Sequence, residues 1–82
     1  MTLAYKLVGY DRRTEFASAT YDIPADKAAD VRKAAGMNAS EVTDWPLDAG
    51  QARIIAQIIG QRLDLDQLDF FLEPHAVAPE HA

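Results

Sequence analysis

Eighty-two residues leave room for one domain, and a formal net charge of −5 with no cysteine narrows what it does. Eight scattered Lys and Arg against thirteen Asp and Glu exclude a phosphate-backbone grip, which needs clustered cations, so nucleic acid is not an expected partner. Without cysteine there is no disulfide, thiol chemistry or Cys-type zinc site. Tyr5, Lys6 and Asp11 interrupt any N-terminal apolar run, and no stretch approaches the roughly 20 apolar residues of a membrane span. The expected setting is therefore the cytoplasm, with no membrane contact.

In chain order, Thr2–Tyr10 alternates Leu3, Tyr5 and Leu7 with Ala4, Lys6 and Val8, the period of a strand with one greasy and one mixed face. Asp11-Arg12-Arg13-Thr14 has turn chemistry: an aspartate that can bond its own backbone, then two long side chains for the tip. Glu15–Ile23 is the return strand, with Ala17, Ala19, Tyr21 and Ile23 as its buried face. Pro24 suits the first position of a helix over Ala25–Ala35, which Gly36 stops. Ala28, Val31, Ala34 and Ala35 share a face of that helix, so it is held by close approach of small side chains rather than bulk.

Met37–Leu47 is the longest irregular piece and carries the only tryptophan. Trp45, biased to extended geometry by Pro46, reads either as a lid over the open end of the core or as an aromatic anchor for a partner. Leu47–Leu63 is the stretch around which the chain is organised. Ala52, Ile55, Ile58 and Ile59 share one helical face, with Ile54, Ala56 and Leu63 on its flanks. Asp48 is the expected N-cap, Gln51 sits where a capping box wants Glu or Gln, and Gly60 or Gln61 ends the helix. Asp69–Glu73 reads as a third strand, apolar on both faces through Phe70, Phe71 and Leu72. Pro74–Ala82 is short and rich in small residues, and is expected to be a disordered tail. The expected fold is α+β, ordered β-β-α-α-β: one domain over residues 1–73, a three-stranded antiparallel sheet with both helices packed on one face.

The residues GYDRRTEFASATYDIP, the Pro-Leu-Asp lead-in to a Gln-bearing helix, and the closing LDFFLE resemble a small family of bacterial domains of unknown function. Some proteins of that kind sit beside toxin genes as immunity proteins. The similarity runs from about Tyr5 to Glu73. It implies a bacterial cytoplasmic protein with an immunity or accessory role, and it brings no catalytic residues.

The sequence offers little chemistry of its own. His75 and His81 are the only histidines, and both fall in the expected tail, where nothing preorganises them. Asp64–Asp69 lacks the glycine and the closing glutamate of a calcium loop. The four glycines are isolated, so no phosphate loop exists. No enzyme activity, metal or cofactor is expected. What remains is acidity: Asp44, Asp48, Asp64, Asp66, Asp69 and Glu73 lie on the segments flanking the central helix, and of these Asp44, Asp64, Asp66 and Asp69, with Trp45 nearby, are the candidate face for a basic protein partner, in which charge chiefly raises the association rate. A non-enzymatic interaction module is the expected function, with an immunity-type inhibitor as its concrete form and a monomer as its default state. The other readings are a domain that self-associates through the free edges of its hairpin, and a small-molecule binder with a pocket under the Met37–Leu47 loop.

Overall fold

The computed structural model describes residues 2–38 and 40–77. Strand β1 (Thr2–Asp11) and strand β2 (Ala17–Asp22) form the expected hairpin. A 3-10 turn over Ala25–Lys27 leads into helix α1 (Ala28–Ala35), which Gly36 closes at φ 70°. A two-residue strand β3 (Trp45–Pro46) precedes helix α2 (Ala49–Ile59), and the chain finishes on strand β4 (Leu68–Val77). All pairings are antiparallel, in the order β2-β1-β4-β3.

The sheet thus has four strands where the sequence predicts three. The additional strand is Trp45–Pro46, paired with Leu72 and Phe71. Proline bias toward extended backbone gives part of that signal, but two residues carry no alternation to read. The last strand is also longer than Asp69–Glu73. Its register on β1 runs unbroken from Asp11↔Leu68 to Thr2↔Val77, so Pro74–Val77 of the expected tail belong to the strand. Residues 78–82, with His81, lie outside the described residues.

Period two decides the faces. Leu3, Tyr5, Leu7 and Gly9 of β1 meet Leu68, Phe70 and Leu72 of β4 on the face that both helices cover. Tyr5, Leu7, Val31, Ala52, Ile55, Phe70 and Leu72 are the centre of this core, together with Met37. Ile54 is turned out and half exposed. Gly9 has a packing reason: a Cβ there would lie 2.8 Å from Phe70 Cε1 and 2.9 Å from Leu68 Cδ1.

Helix α2 starts as its sequence dictates. The Asp48 carboxylate accepts the Gln51 N–H at 2.7 Å, and the Gln51 side chain accepts the Asp48 N–H at 3.0 Å, so both bonds of the capping box form. Gly60 ends it in the left-handed region. The Trp45 indole lies on the helix-covered face and donates to the Ala35 carbonyl at 2.8 Å. The Gln51 amide donates to the same oxygen at 3.3 Å. The end of α1, β3 and the start of α2 are thereby tied together at one carbonyl that α1 leaves without a helical partner.

Candidate functional site

The second face of the sheet is where side chains remain available. The helix-packed core lies on the other face, and this one presents Tyr10, Phe71 and Glu73 from the two central strands, with Val8 buried between them. Tyr10 lies along this face: its ring meets the Phe71 ring edge-on at 5.5 Å and 88°. Its hydroxyl donates to Glu73 Oε2. That bond, reinforced by burial and by the charge of Glu73, pushes the Tyr10 phenol up from 10.0 to about 12. Tyr10 therefore keeps its proton throughout the physiological range and holds Glu73 from one side.

Around these two rings is an open groove of about 390 Å³ lined by Tyr10, Phe71 and Glu73, by Asp69 of β4, by Asp11, Arg12 and Glu15 of the hairpin turn, and by Asp44. Five carboxylates face one guanidinium. The guanidinium is already engaged: Arg12 Nε donates to Asp69 at 2.8 Å, Nη1 to the Asp66 carbonyl at 2.9 Å and Nη2 to the Leu65 carbonyl at 3.0 Å. The Asp11 carboxylate accepts the Arg13 N–H at 2.8 Å and the Thr14 N–H at 3.2 Å, which lowers its pKa and keeps it charged. Glu15 and Asp44 make no side-chain hydrogen bond or ion pair to the described residues. The groove is thus aromatic at its floor and anionic at its rim. Among the described residues no three of His, Asp and Glu converge on a position where a metal ion would sit.

The residues singled out from the sequence separate into three places. Asp44 and Asp69 line the groove. Asp64 and Asp66 lie in the connection from α2 to β4, where Asp64 closes a turn by accepting the Asp66 and Gln67 N–H groups at 3.2 and 3.1 Å. They touch the groove only through Arg12, which binds the Asp66 carbonyl. Trp45 sits on the opposite face of the sheet, half-buried against the core. Tyr10, Phe71, Glu15 and Arg12 were not among the candidates. The alternation of β1 and β4 puts Tyr10 and Phe71 on the face away from Leu7 and Leu72, but only the β1–β4 pairing makes them neighbours. Among the described residues Phe16, Val42 and Ile54 are the exposed large apolar side chains, and none of them lines the groove. No helix is long and apolar enough to cross a membrane among the described residues.

Comparison with curated proteins gives no match, and comparison with solved structures gives none either. A protein-family model, described as a domain of unknown function (DUF7683), matches residues 4–73. That span takes in both helices, β2 and β3 whole, most of β1 and β4 as far as Glu73, with all the groove-lining residues, and the chain belongs to this family of domains of unknown function.

Proposed function

We propose that this chain is a non-enzymatic protein-binding module whose uncovered sheet face receives a basic segment of a partner. The observation that carries this reading is the groove: two aromatic rings on a strand-built floor, ringed by Asp11, Glu15, Asp44, Asp69 and Glu73. A lysine or arginine side chain laid there gains cation–π contact with Tyr10 and Phe71 and charge-assisted bonds to the unpaired Glu15 and Asp44 carboxylates. The floor is rigid because it is the centre of the sheet, so the site is formed before the partner arrives. An inhibitor that caps a basic surface is the form in which such a module has its effect.

The test is affinity capture with the full chain and a Glu15→Gln/Asp44→Asn double variant, each at low and high salt. Neither side chain holds the fold together, so the variant keeps its unfolding midpoint. A basic protein that the native chain retains at low salt, and that both salt and the variant release, supports the reading. Retention that neither salt nor the variant disturbs contradicts it.

A further inference from the structure

The two edges of the sheet are not equivalent. The Leu47 N–H donates to the Phe70 carbonyl at 3.0 Å, so Phe70 turns its backbone groups away from β1. By period two, Leu72 and Pro74 do the same. Strand β3 covers only Phe71 and Leu72, so Pro74 stands on the open stretch of β4, where an amide donor would otherwise face solvent. Trp45 faces Leu72 across the ladder, which turns the backbone of Pro46 outward as well. Proline thus removes the outward donor at Pro46 and at Pro74, a familiar way of blocking further strand pairing, and on the open stretch of β4 only the Ala76 amide still faces outward.

The other edge has no such block. The Ile23 N–H donates to the Tyr5 carbonyl at 3.0 Å, so Ile23, Tyr21 and Ala19 turn their backbone groups to β1, and Thr20 and Asp22 turn theirs outward. Strand β2 (ASATYD) contains no proline and no lysine. The irregularity in its pairing lies next to Gly9 and Tyr10, toward the hairpin turn, and leaves Ala19–Asp22 regular.

We infer that this edge pairs with the same edge of a second copy of the chain, antiparallel about a two-fold axis at Tyr21, to give one continuous sheet. The sequence is self-complementary in that register. Thr20 stands opposite Asp22 of the second copy, and each such pair exchanges two backbone bonds, with a hydroxyl beside a carboxylate rather than two carboxylates together. The half-buried Tyr21 rings meet across the axis at the margin of the helical layer. Moving the axis to Asp22 would oppose two aspartates, which the charge disfavours. The interface is small, so the dimer is weak and forms between micromolar and millimolar chain. Net charge opposes it, so added salt strengthens it, opposite to the response expected of the acidic groove.

Sedimentation equilibrium over a concentration series of the full chain, with amide exchange at the two ends of the series, tests this. The mass rises toward two chains with concentration. The Thr20 and Asp22 amides become protected only at the high end, while those of Ala19, Tyr21 and Ile23 are protected throughout. Thr20→Pro leaves the bond pattern to β1 intact, because that N–H faces outward, and weakens association about tenfold or more. A one-chain mass up to millimolar concentration overturns the inference. So does association that leaves the Thr20 and Asp22 amides unprotected, a result read on the native chain whether or not the proline variant folds.

Discussion

At the scale of single residues, the sheet depends on one close approach. Gly9 passes the Phe70 ring and Leu68 at a distance that leaves no room for a methyl group, and both neighbours are buried. Gly9→Ala is therefore expected to destabilise the chain by about 1–3 kcal/mol, read as a lower urea midpoint at unchanged slope. Tyr5 gives the opposite expectation. Its hydroxyl is buried with no hydrogen-bond partner among the described residues, while the Arg32 guanidinium lies 5.5 Å from its ring centre. Tyr5→Phe removes an unsatisfied group and keeps the ring, so stability stays level or rises by up to ~1 kcal/mol. Tyr10 carries a pH dependence of known sign. Its phenol is raised from 10.0 to about 12 in the folded chain, first by the bond to Glu73. The folded form then binds the proton where the unfolded form has lost it. The stabilisation is complete below pH 10 and declines as pH rises toward 12, with the two pKa values bounding the window. Glu73→Gln removes the charged acceptor, and the Tyr10 ring resonance should then titrate at lower pH; an unmoved titration would contradict the assignment.

At the scale of elements, what the sequence makes legible is what repeats. The β1 alternation, the Ala52–Ile55 centre of the α2 apolar face, the capping box and the two glycine stops all read correctly, because each is a local rule acting on neighbouring residues, whereas Ile54, placed on the flank of that face, is exposed. Asp48→Ala is expected to cost about 1–2 kcal/mol through the loss of the cap. The elements that escaped are those whose cause is distant. Trp45–Pro46 is a strand only because Phe71 and Leu72 are beside it. Pro74 ends no strand, because its missing donor falls on the side where no strand lies. Ala17, expected on the buried face, is exposed because the pairing shifts at Gly9 and Tyr10. The hairpin turn holds a further strained position. Glu15 sits at φ 63°, a region that costs a side chain roughly 1 kcal/mol. Arg12, at the same turn, spans to Leu65, Asp66 and Asp69 and fastens the hairpin tip to the start of β4. Since its charge is half exposed, that tie contributes mainly position, keeping Asp69 and Glu15 on the same groove.

At the scale of the whole molecule, the helices occupy one face of the sheet and leave the other to the groove, and this asymmetry is what the functional proposal rests on. The candidate site was half legible. Acidity in Asp44 and Asp69 is visible in composition, but the aromatic floor arises from residues some sixty positions apart, Tyr10 and Phe71, which only the β1–β4 register joins. Trp45 drew notice because it is the lone tryptophan, yet the carbonyl at the end of α1 accounts for it. The most direct test of the central claim is an amide-shift titration of the full chain with a short arginine-rich peptide at low and at high salt. Saturable shifts are expected at Tyr10, Asp44, Asp69, Phe71 and Glu73, weakened severalfold by Glu15→Gln/Asp44→Asn and abolished by salt. Shifts that fall on the helical face, or that persist unchanged in high salt and in the double variant, would contradict it.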